Sequence, residues 1–373
     1  MMVSAPKTSL AVWWPKLNAK ILDELVEARS VRVKVHPEYP NLKLYKYSAG
    51  YDFFRGRSSS EEILLVRQCR GLVWDHDKDR CVCNPVPKFF NHFNFDLKHL
   101  RDSWARDDVM VTPKHDGSCV LMWHYRGEWH FSTLGSFTSD QAVWAKELLA
   151  FHSFEPGDTH AFELIHPKNR IIVDYKDKAE LRFLYTRDTQ TGLECAPMIG
   201  GDLPVWRGGT LDRLMGSLNR KGIEGYVVRF NGGSDRVKFK TWWYLGQSKE
   251  AEILRKNGVY AYLIAYYKGR VGFDEKSVYR DEICAGMEQL QNVRTDLEEK
   301  VDEVRRFPTR KEQAKRIHEL DEGNYVRATM FKILDKQDEK EIALCILKAF
   351  MMKQLLPCQP PNIKTLTPSI PVG

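Results

Sequence analysis

Short runs of β-branched and aromatic residues, broken by polar positions and turn signals, fill the chain up to about residue 245. Cys119–His124, Trp129–Ser132, Ala161–Ile165, Arg170–Tyr175, Leu181–Thr186, Gly225–Phe230 and Arg236–Lys240 predict strands. Asp116-Gly117, Arg126-Gly127 and Asn231-Gly232-Gly233 mark turns between them. Such a texture predicts antiparallel sheets with a few helices, an α+β layout. From about residue 248 the apolar spacing becomes helical, as at Leu290, Val293, Leu297, Val301 and Val304, and Pro308 ends that run. Thr309 and Glu312 then stand at capping-box spacing before another helix.

The change of texture, with a length of 373 residues, implies more than one domain. We expect residues 1–247 to form one domain with an N-terminal subdomain, and residues 248–356 a small all-α domain. Residues 357–373 hold five prolines and read as an extended or disordered tail. At 43% hydrophobic and 29% charged, the chain can bury a core and is not broadly disordered. Its net charge of +7 is compatible with a phosphate-bearing partner and proves none. Apolar stretches such as Tyr260–Tyr267 are far shorter than the roughly 18 residues of a membrane-spanning helix, and the N-terminus lacks a signal pattern. Neither a membrane nor secretion is expected. Of eight cysteines only Cys81 and Cys83 lie close, without a second pair to complete a zinc site. Reduced thiols in a cytoplasm follow.

Three segments carry possible chemistry. Lys114-His115-Asp116-Gly117-Ser118 places an amine at a strand end, though Asp-Gly alone would equally mark an exposed hairpin. In Val237-Lys238-Phe239-Lys240, strand alternation puts both lysines on one face, suited to a polyphosphate or to guarding an edge strand. Within Phe162-Glu163-Leu164-Ile165, a carboxylate interrupts an apolar strand and must face water or find a cation, a hydroxyl or a metal.

Taken in order, K-x-D-G at Lys114, the acidic strand at Glu163, E-G-Y-V-V from Glu224 and K-x-K at Lys238 and Lys240 resemble the collinear motifs of the covalent nucleotidyltransferases, the ATP-dependent ligases and capping enzymes. Two further segments resemble the phage-type RNA ligase 1 family in particular. These are Cys69-Arg70-Gly71 followed by Pro87-Lys88-Phe89-Phe90-Asn91, and Phe162-Glu163 followed by Pro167-Lys168-Asn169-Arg170-Ile171-Ile172, with Trp243-Tyr244 after Lys240. The resemblance covers roughly residues 40–245. It implies a nucleotidyltransferase, ATP-grasp-like ligase core of antiparallel sheets with helices, followed by the all-α domain, which would tune RNA specificity. DNA ligases continue the lysine motif with an arginine where this chain has Ser118-Cys119, and both they and capping enzymes follow K-x-K with a β-rich domain. Leu134 stands where some family members carry a lysine and offers a phosphate no cation.

By this resemblance Lys114 is the nucleophile that takes AMP from ATP, passes it to an RNA 5′-phosphate and lets a 3′-hydroxyl close the strand. A free lysine has a pKa of about 10.4, so the site is expected to lower it, with Lys238, Lys240 and Mg²⁺ (or Mn²⁺) as the cations responsible. Lys238 and Lys240 would contact nucleotide phosphates and Glu163 the ribose hydroxyls. Arg70, Lys88, Phe90 and Tyr47 would complete the ATP site, Asp116, Gly117 and Tyr244 would support it, and Glu224 and Asp116 would hold the metal. The partner would be RNA with 5′-phosphate and 3′-hydroxyl ends, tRNA among them, in repair. A monomer is expected, in the host cytoplasm if phage-encoded. The alternatives are a DNA ligase, a GTP-dependent capping-type enzyme, or an inactive RNA-binding relative. Basic pairs in the helical domain, Arg305-Arg306 and Arg310-Lys311, read as solvated helix ends.

Overall fold

The computed structural model describes residues 17–54, 58–106, 109–149, 154–195, 206–207, 209–230, 235–275, 277, 279–320 and 322–352. The tail at 357–373 and the Asn231-Gly232-Gly233 turn lie outside them. The contacts of the described residues divide the chain into two compact units, one up to Tyr244 and a second from Leu245 onward.

The first unit begins with α1 (Ala19–Glu27), β1 (Val31–Val35), β2 (Leu42–Tyr47), α2 (Ser60–Gln68), β3 (Arg70–Asp75), β4 (Arg80–Cys83) and β5 (Phe90–Asn91). It continues through α3 (Leu97–Arg106), β6 (Met110–Lys114), β7 (Ser118–Tyr125), β8 (Glu128–Thr133), α4 (Asp140–Leu148), β9 (Asp158–Ile165) and β10 (Glu180–Asp188). β11 (Glu194–Cys195), β12 (Trp206–Arg207), α5 (Leu211–Ser217), β13 (Gly225–Phe230) and β14 (Asp235–Lys240) complete it. The strands form three sheets, ordered β1-β2-β3-β4, β11-β10-β9-β7-β8 and β12-β6-β13-β14-β5. All pairings are antiparallel except the short contact of β14 with β5.

Alternation gives each sheet an apolar face, and those faces make the cores. Leu42, Leu44 and Val73 of the first sheet share a buried cluster with Leu121, Trp123 and Ala161 of the second. The first sheet's other face covers Leu22 and Leu25 of α1 and Val66 of α2 through Val31, Tyr45 and Leu72. Beneath the third sheet, Val228, Val237 and Phe239 pack on Leu100, Leu211 and Leu214.

Two expectations change. Asp116-Gly117 does not turn a hairpin: β6 belongs to the third sheet and β7 to the second, so the dipeptide is a crossing between sheets. Residues 170–175 are not a strand, because the Ile172 and Val173 amides donate to the Asp116 carboxylate, at 2.8 and 2.7 Å, rather than to a neighbouring strand. The other six predicted strands form, Gly225–Phe230 with the limits expected and the other five slightly longer.

The second unit is helical: the rest of α6 (Trp242–Tyr267), kinked at Gly258, then α7 (Arg280–Arg305), α8 (Arg310–Glu319), α9 (Asn324–Leu334) and α10 (Glu339–Met351). Leu290, Leu297, Val301 and Val304 line the buried side of α7 as their spacing predicts, with Val293 partly buried. The Thr309–Glu312 capping box forms, and Arg305 and Arg310 are ion-paired to Asp302 and Asp335. No described helix is long and apolar enough to cross a membrane, and the seven described cysteines are free.

Leu297 is 1% exposed in this core. Replacing it with alanine should remove buried area and leave a cavity, lowering unfolding free energy by about 2–5 kcal/mol. A denaturant titration followed by far-ultraviolet circular dichroism measures that loss; an unchanged midpoint would contradict the packing described.

Candidate active site

Three neighbouring strands of the third sheet bring the motifs together. Gly225 at the start of β13 faces Lys114 at the end of β6 on one side and Lys240 at the end of β14 on the other. Only glycine fits there: its φ is +148°, and a Cβ would lie 2.0 Å from the Phe239 carbonyl oxygen. The preceding residue, Glu224, is 3% exposed and bridges the two lysines, with its Oε2 2.8 Å from Lys114 Nζ and its Oε1 3.1 Å from Lys240 Nζ. Phe239 points to the opposite face and is fully buried, as the alternation requires.

From the second sheet, Glu163 on β9 accepts the Gly117 amide at 3.0 Å, in the crossing that follows Lys114. That contact is close because Gly117 has no side chain; a Cβ would stand 2.3 Å from the Leu164 carbonyl oxygen. Asp116 takes the Ile172 and Val173 amides on Oδ2 and the Tyr244 hydroxyl on Oδ1, at 2.6 Å. Tyr244 also lies under Lys240, whose Nζ is 4.7 Å from its ring centroid.

The remaining predicted residues gather around the Lys-Phe-Phe-Asn run. Lys88 Nζ donates to the Tyr47 hydroxyl at 3.1 Å and stands 4.4 Å from that ring and 5.9 Å from the Phe90 ring. β5 docks beside β14, with Asn91 paired to Lys238. Arg70 and Lys238 approach the Phe89 ring, at 5.4 and 4.7 Å from its centroid. Arg70, Phe89, Lys114, Glu163 and Lys238 line one cleft.

Several site residues escaped the sequence reading. Phe89 stood within the quoted Lys-Phe-Phe-Asn run and Asn169, bonded to Ser118 at 3.0 Å, within Pro-Lys-Asn-Arg; both signals were there to use. Nothing local marks Tyr175, whose hydroxyl accepts the Asp116 amide, or Arg182, which donates to His115 Nδ1 at 2.8 Å.

Charge in the cleft is finely divided. Burial pulls the Lys114 pKa down, but Glu224, Glu163 and Asp116 outweigh it, and the net shift is upward. The expectation that neighbouring cations lower it is therefore reversed: in the ligand-free site the carboxylates win and the amine is an ammonium. Lys238 does fall well below its ordinary value, through burial and then through Arg70, Lys114, Lys88 and Lys240. Glu163 rises to about 7, first by burial and then by the opposing influences of Lys114 and Glu224. Burial, with Glu224, also raises Asp116 against its hydrogen bonds, and burial beside Arg182 and Lys114 takes His115 down to about 4.

A divalent ion would find hard oxygen donors here, but few free ones. Asp116 spends its oxygens on Tyr244 and two amides, and Glu224 spends its own on Lys114 and Lys240. Among the described residues no cluster of three metal-ligating side chains occurs. This suits an ion held largely by phosphate oxygens and water, as Mg²⁺ commonly is.

Residues 68–199 match the family model described as RNA ligase, a segment that contains Arg70, Lys88, Lys114 and Glu163. That match covers 132 of the chain's 373 residues. Over 194 residues it is 26% identical to a protein of Autographa californica nuclear polyhedrosis virus named as a bifunctional polynucleotide kinase/RNA ligase, covering 45% of this chain and 27% of that one. It is 28% identical over 179 residues to the uncharacterized ORF64 protein of Ostreid herpesvirus 1, covering 44% and 42%. The chain thus spans less than half the length of either relative. Among solved structures, an archaeal ATP-dependent RNA ligase aligns over 94% of this chain and 100% of its own at 12% identity and a TM-score of 0.46. A Naegleria gruberi RNA ligase with AMP and Mn aligns over 44% and 58% at 12% identity and a TM-score of 0.34.

Because Glu163 has a folded pKa of about 7 against an ordinary 4.5, it favours the folded state below pH 4.5, and that contribution is lost as pH rises through about 7. Glu163→Gln should flatten this fall in the nucleotide-free protein. Denaturation midpoints of both proteins between pH 4.5 and 7.5 test it; parallel curves would refute the assignment.

Proposed function

We propose that this protein is an ATP-dependent RNA ligase that joins RNA 5′-phosphate and 3′-hydroxyl ends through a lysyl-AMP and an adenylated RNA. One observation carries the reading: Lys114, within the segment that matches the RNA ligase family, shares Glu224 with Lys240 in a cleft that also holds Lys238, Arg70 and Glu163.

Lys114 Nζ attacks the α-phosphorus of ATP, forming a P–N bond as the bond to pyrophosphate breaks. The amine must first lose a proton, and the 2.8 Å hydrogen bond to Glu224 is the path by which it leaves. Phosphates entering the cleft give Lys238, Lys240, Lys88 and Arg70 new anionic partners, and these cations stabilise the charge that builds on the departing pyrophosphate. Glu163, which accepts the Gly117 amide, takes the ribose hydroxyls in this reading. Asp116, tied to Tyr244 and the 172–173 amides, acts as a positioning residue that fixes the crossing after the nucleophile. Mg²⁺ or Mn²⁺, held at the phosphates with Glu224, would neutralise their charge. AMP then moves to the RNA 5′-phosphate, and attack by the 3′-hydroxyl releases it. Substrates of this class include broken tRNA, and the proposal takes the protein to act as a monomer among reduced cytoplasmic thiols.

Incubation with α-labelled ATP should leave label on the denatured protein, and Lys114→Ala should abolish it. Preference for GTP, or sealing of nicked duplex DNA rather than 5′-phosphorylated RNA, would refute the proposal, as would a complete lack of label with Mg²⁺ present. A second test uses pH. Because the carboxylates raise the Lys114 pKa, kcat/KM for ATP in adenylation should keep rising with pH across the range 7 to 9. In Glu224→Gln the rise should level off at lower pH, whatever the maximal rate; the same profile in both proteins would contradict the role given to Glu224.

A further inference from the structure

The cleft does not end at Arg70. In the first sheet Lys46 on β2 is paired with Arg70 on β3 on one side and with Arg32 on β1 on the other. Three cations therefore stand in a row across three strands, from the nucleotide cleft to the sheet's edge. Lys34 flanks the row two residues along β1. Like charges opposite one another across antiparallel strands destabilise the pairing, yet among the described residues none of these four makes an ion pair with a carboxylate. Lys46 is also half-buried and lies against the turn after β8, where a Cβ on Gly135 would meet its Cδ and Nζ at 3.1 Å. Burial depresses its pKa against the opposing influence of Tyr47, and Arg70, Lys34 and Arg32 add to the depression. Guarding an exposed edge against aggregation would account for Arg32 and Lys34, but not for a half-buried lysine one strand further in.

We infer that Arg70, Lys46 and Arg32 form a track for successive phosphates of the RNA strand whose 5′-end is to be adenylated, with Gly135 keeping the Lys46 ammonium seated along it. The inference rests on the ligase reading above and adds the path of its substrate. Length chooses between the two phosphate sources. At a strand spacing of about 4.8 Å, Arg32 stands about 10 Å from Arg70, and the triphosphate of ATP is already met inside the cleft by Lys238, Lys240 and Lys88. Arg70, which the ligase reading already gives to the ATP phosphates, is where the two paths meet; from there a polynucleotide backbone reaches outward to Lys46 and Arg32, and a nucleotide does not. The row also supplies a cation beside the very turn in which Leu134 has none to give.

The test measures binding of a short 5′-phosphorylated single-stranded RNA to the full chain, and separately AMP transfer from ATP to Lys114. Arg32→Ala, at an exposed position that spares the fold, and Lys46→Ala should each weaken RNA binding severalfold, and together at least tenfold. Their combined loss should reduce the slope of log K against log salt by roughly 1.4, two cations at about 0.7 each on a single strand. Adenylation should stay within about twofold of the parent, and Lys46→Arg should keep RNA affinity. Unchanged affinity and slope in the double variant would overturn the track. A parallel loss of adenylation with intact RNA binding would overturn it too, assigning the row to ATP. If the parent protein never takes label on Lys114, the ligase reading fails, while the RNA affinities and salt slopes still decide the track.

Discussion

Glu224 neutralises two ammonium groups that reach it from different strands, and the geometry of the whole cleft depends on that one carboxylate. Lys114 and Lys240 flank Gly225 in register, so their side chains converge whether or not an anion is present. With Glu224 between them the convergence is an ion triad, nearly closed to solvent. Without it, Lys114 would keep only the weaker influence of Glu163 and Asp116 against burial, and Lys240 would lose its ion pair. A buried triad of this kind contributes little net stability, because desolvation offsets attraction. On the proposed reading, its worth is to hold the nucleophile Lys114 and the phosphate-binding Lys240 in readiness, at the cost of keeping Lys114 protonated until ligand arrives.

That cost gives the cleft its sequence of events. The ligand-free site favours the ammonium form of Lys114, and the chemistry needs the amine. In the proposed reaction, incoming phosphate competes with Glu224 for Lys240, which frees the carboxylate to take the Lys114 proton over an existing hydrogen bond. Glu163, with a pKa near neutrality, adjusts its own charge to the balance around it. The aromatic rings line the same region: Phe89, Tyr47 and Tyr244 give Arg70, Lys238, Lys88 and Lys240 a partly apolar seat.

Asp116 explains why the motif after the nucleophile is so short. The chain leaves the third sheet at Lys114 and enters the second at Ser118, and three residues must make the passage without a hairpin's ladder. Asp116 supplies the missing hydrogen bonds by drawing in the 172–173 amides and the Tyr244 hydroxyl, and Gly117 lets the backbone approach Glu163. An Asp-Gly pair that reads locally as a turn is here a tie between two sheets.

Alternation of apolar and polar residues was enough to specify most strands, the common face of Lys238 and Lys240, and the helical character after residue 248, because those properties depend on neighbours in the chain. The order of charged motifs also named Lys114, Glu163 and Glu224 as belonging together. What the sequence left open was how those charges balance: a lysine surrounded by lysines in the motif list proved to be governed by carboxylates, since distance and burial, not composition, set a pKa. It gave no sign that 170–175 would surrender its amides to Asp116 instead of a strand, or that Arg32, Lys46 and Arg70 would line up across a sheet. Those are consequences of strand register between distant segments, and register is decided only when the faces that must be buried meet their partners in three dimensions.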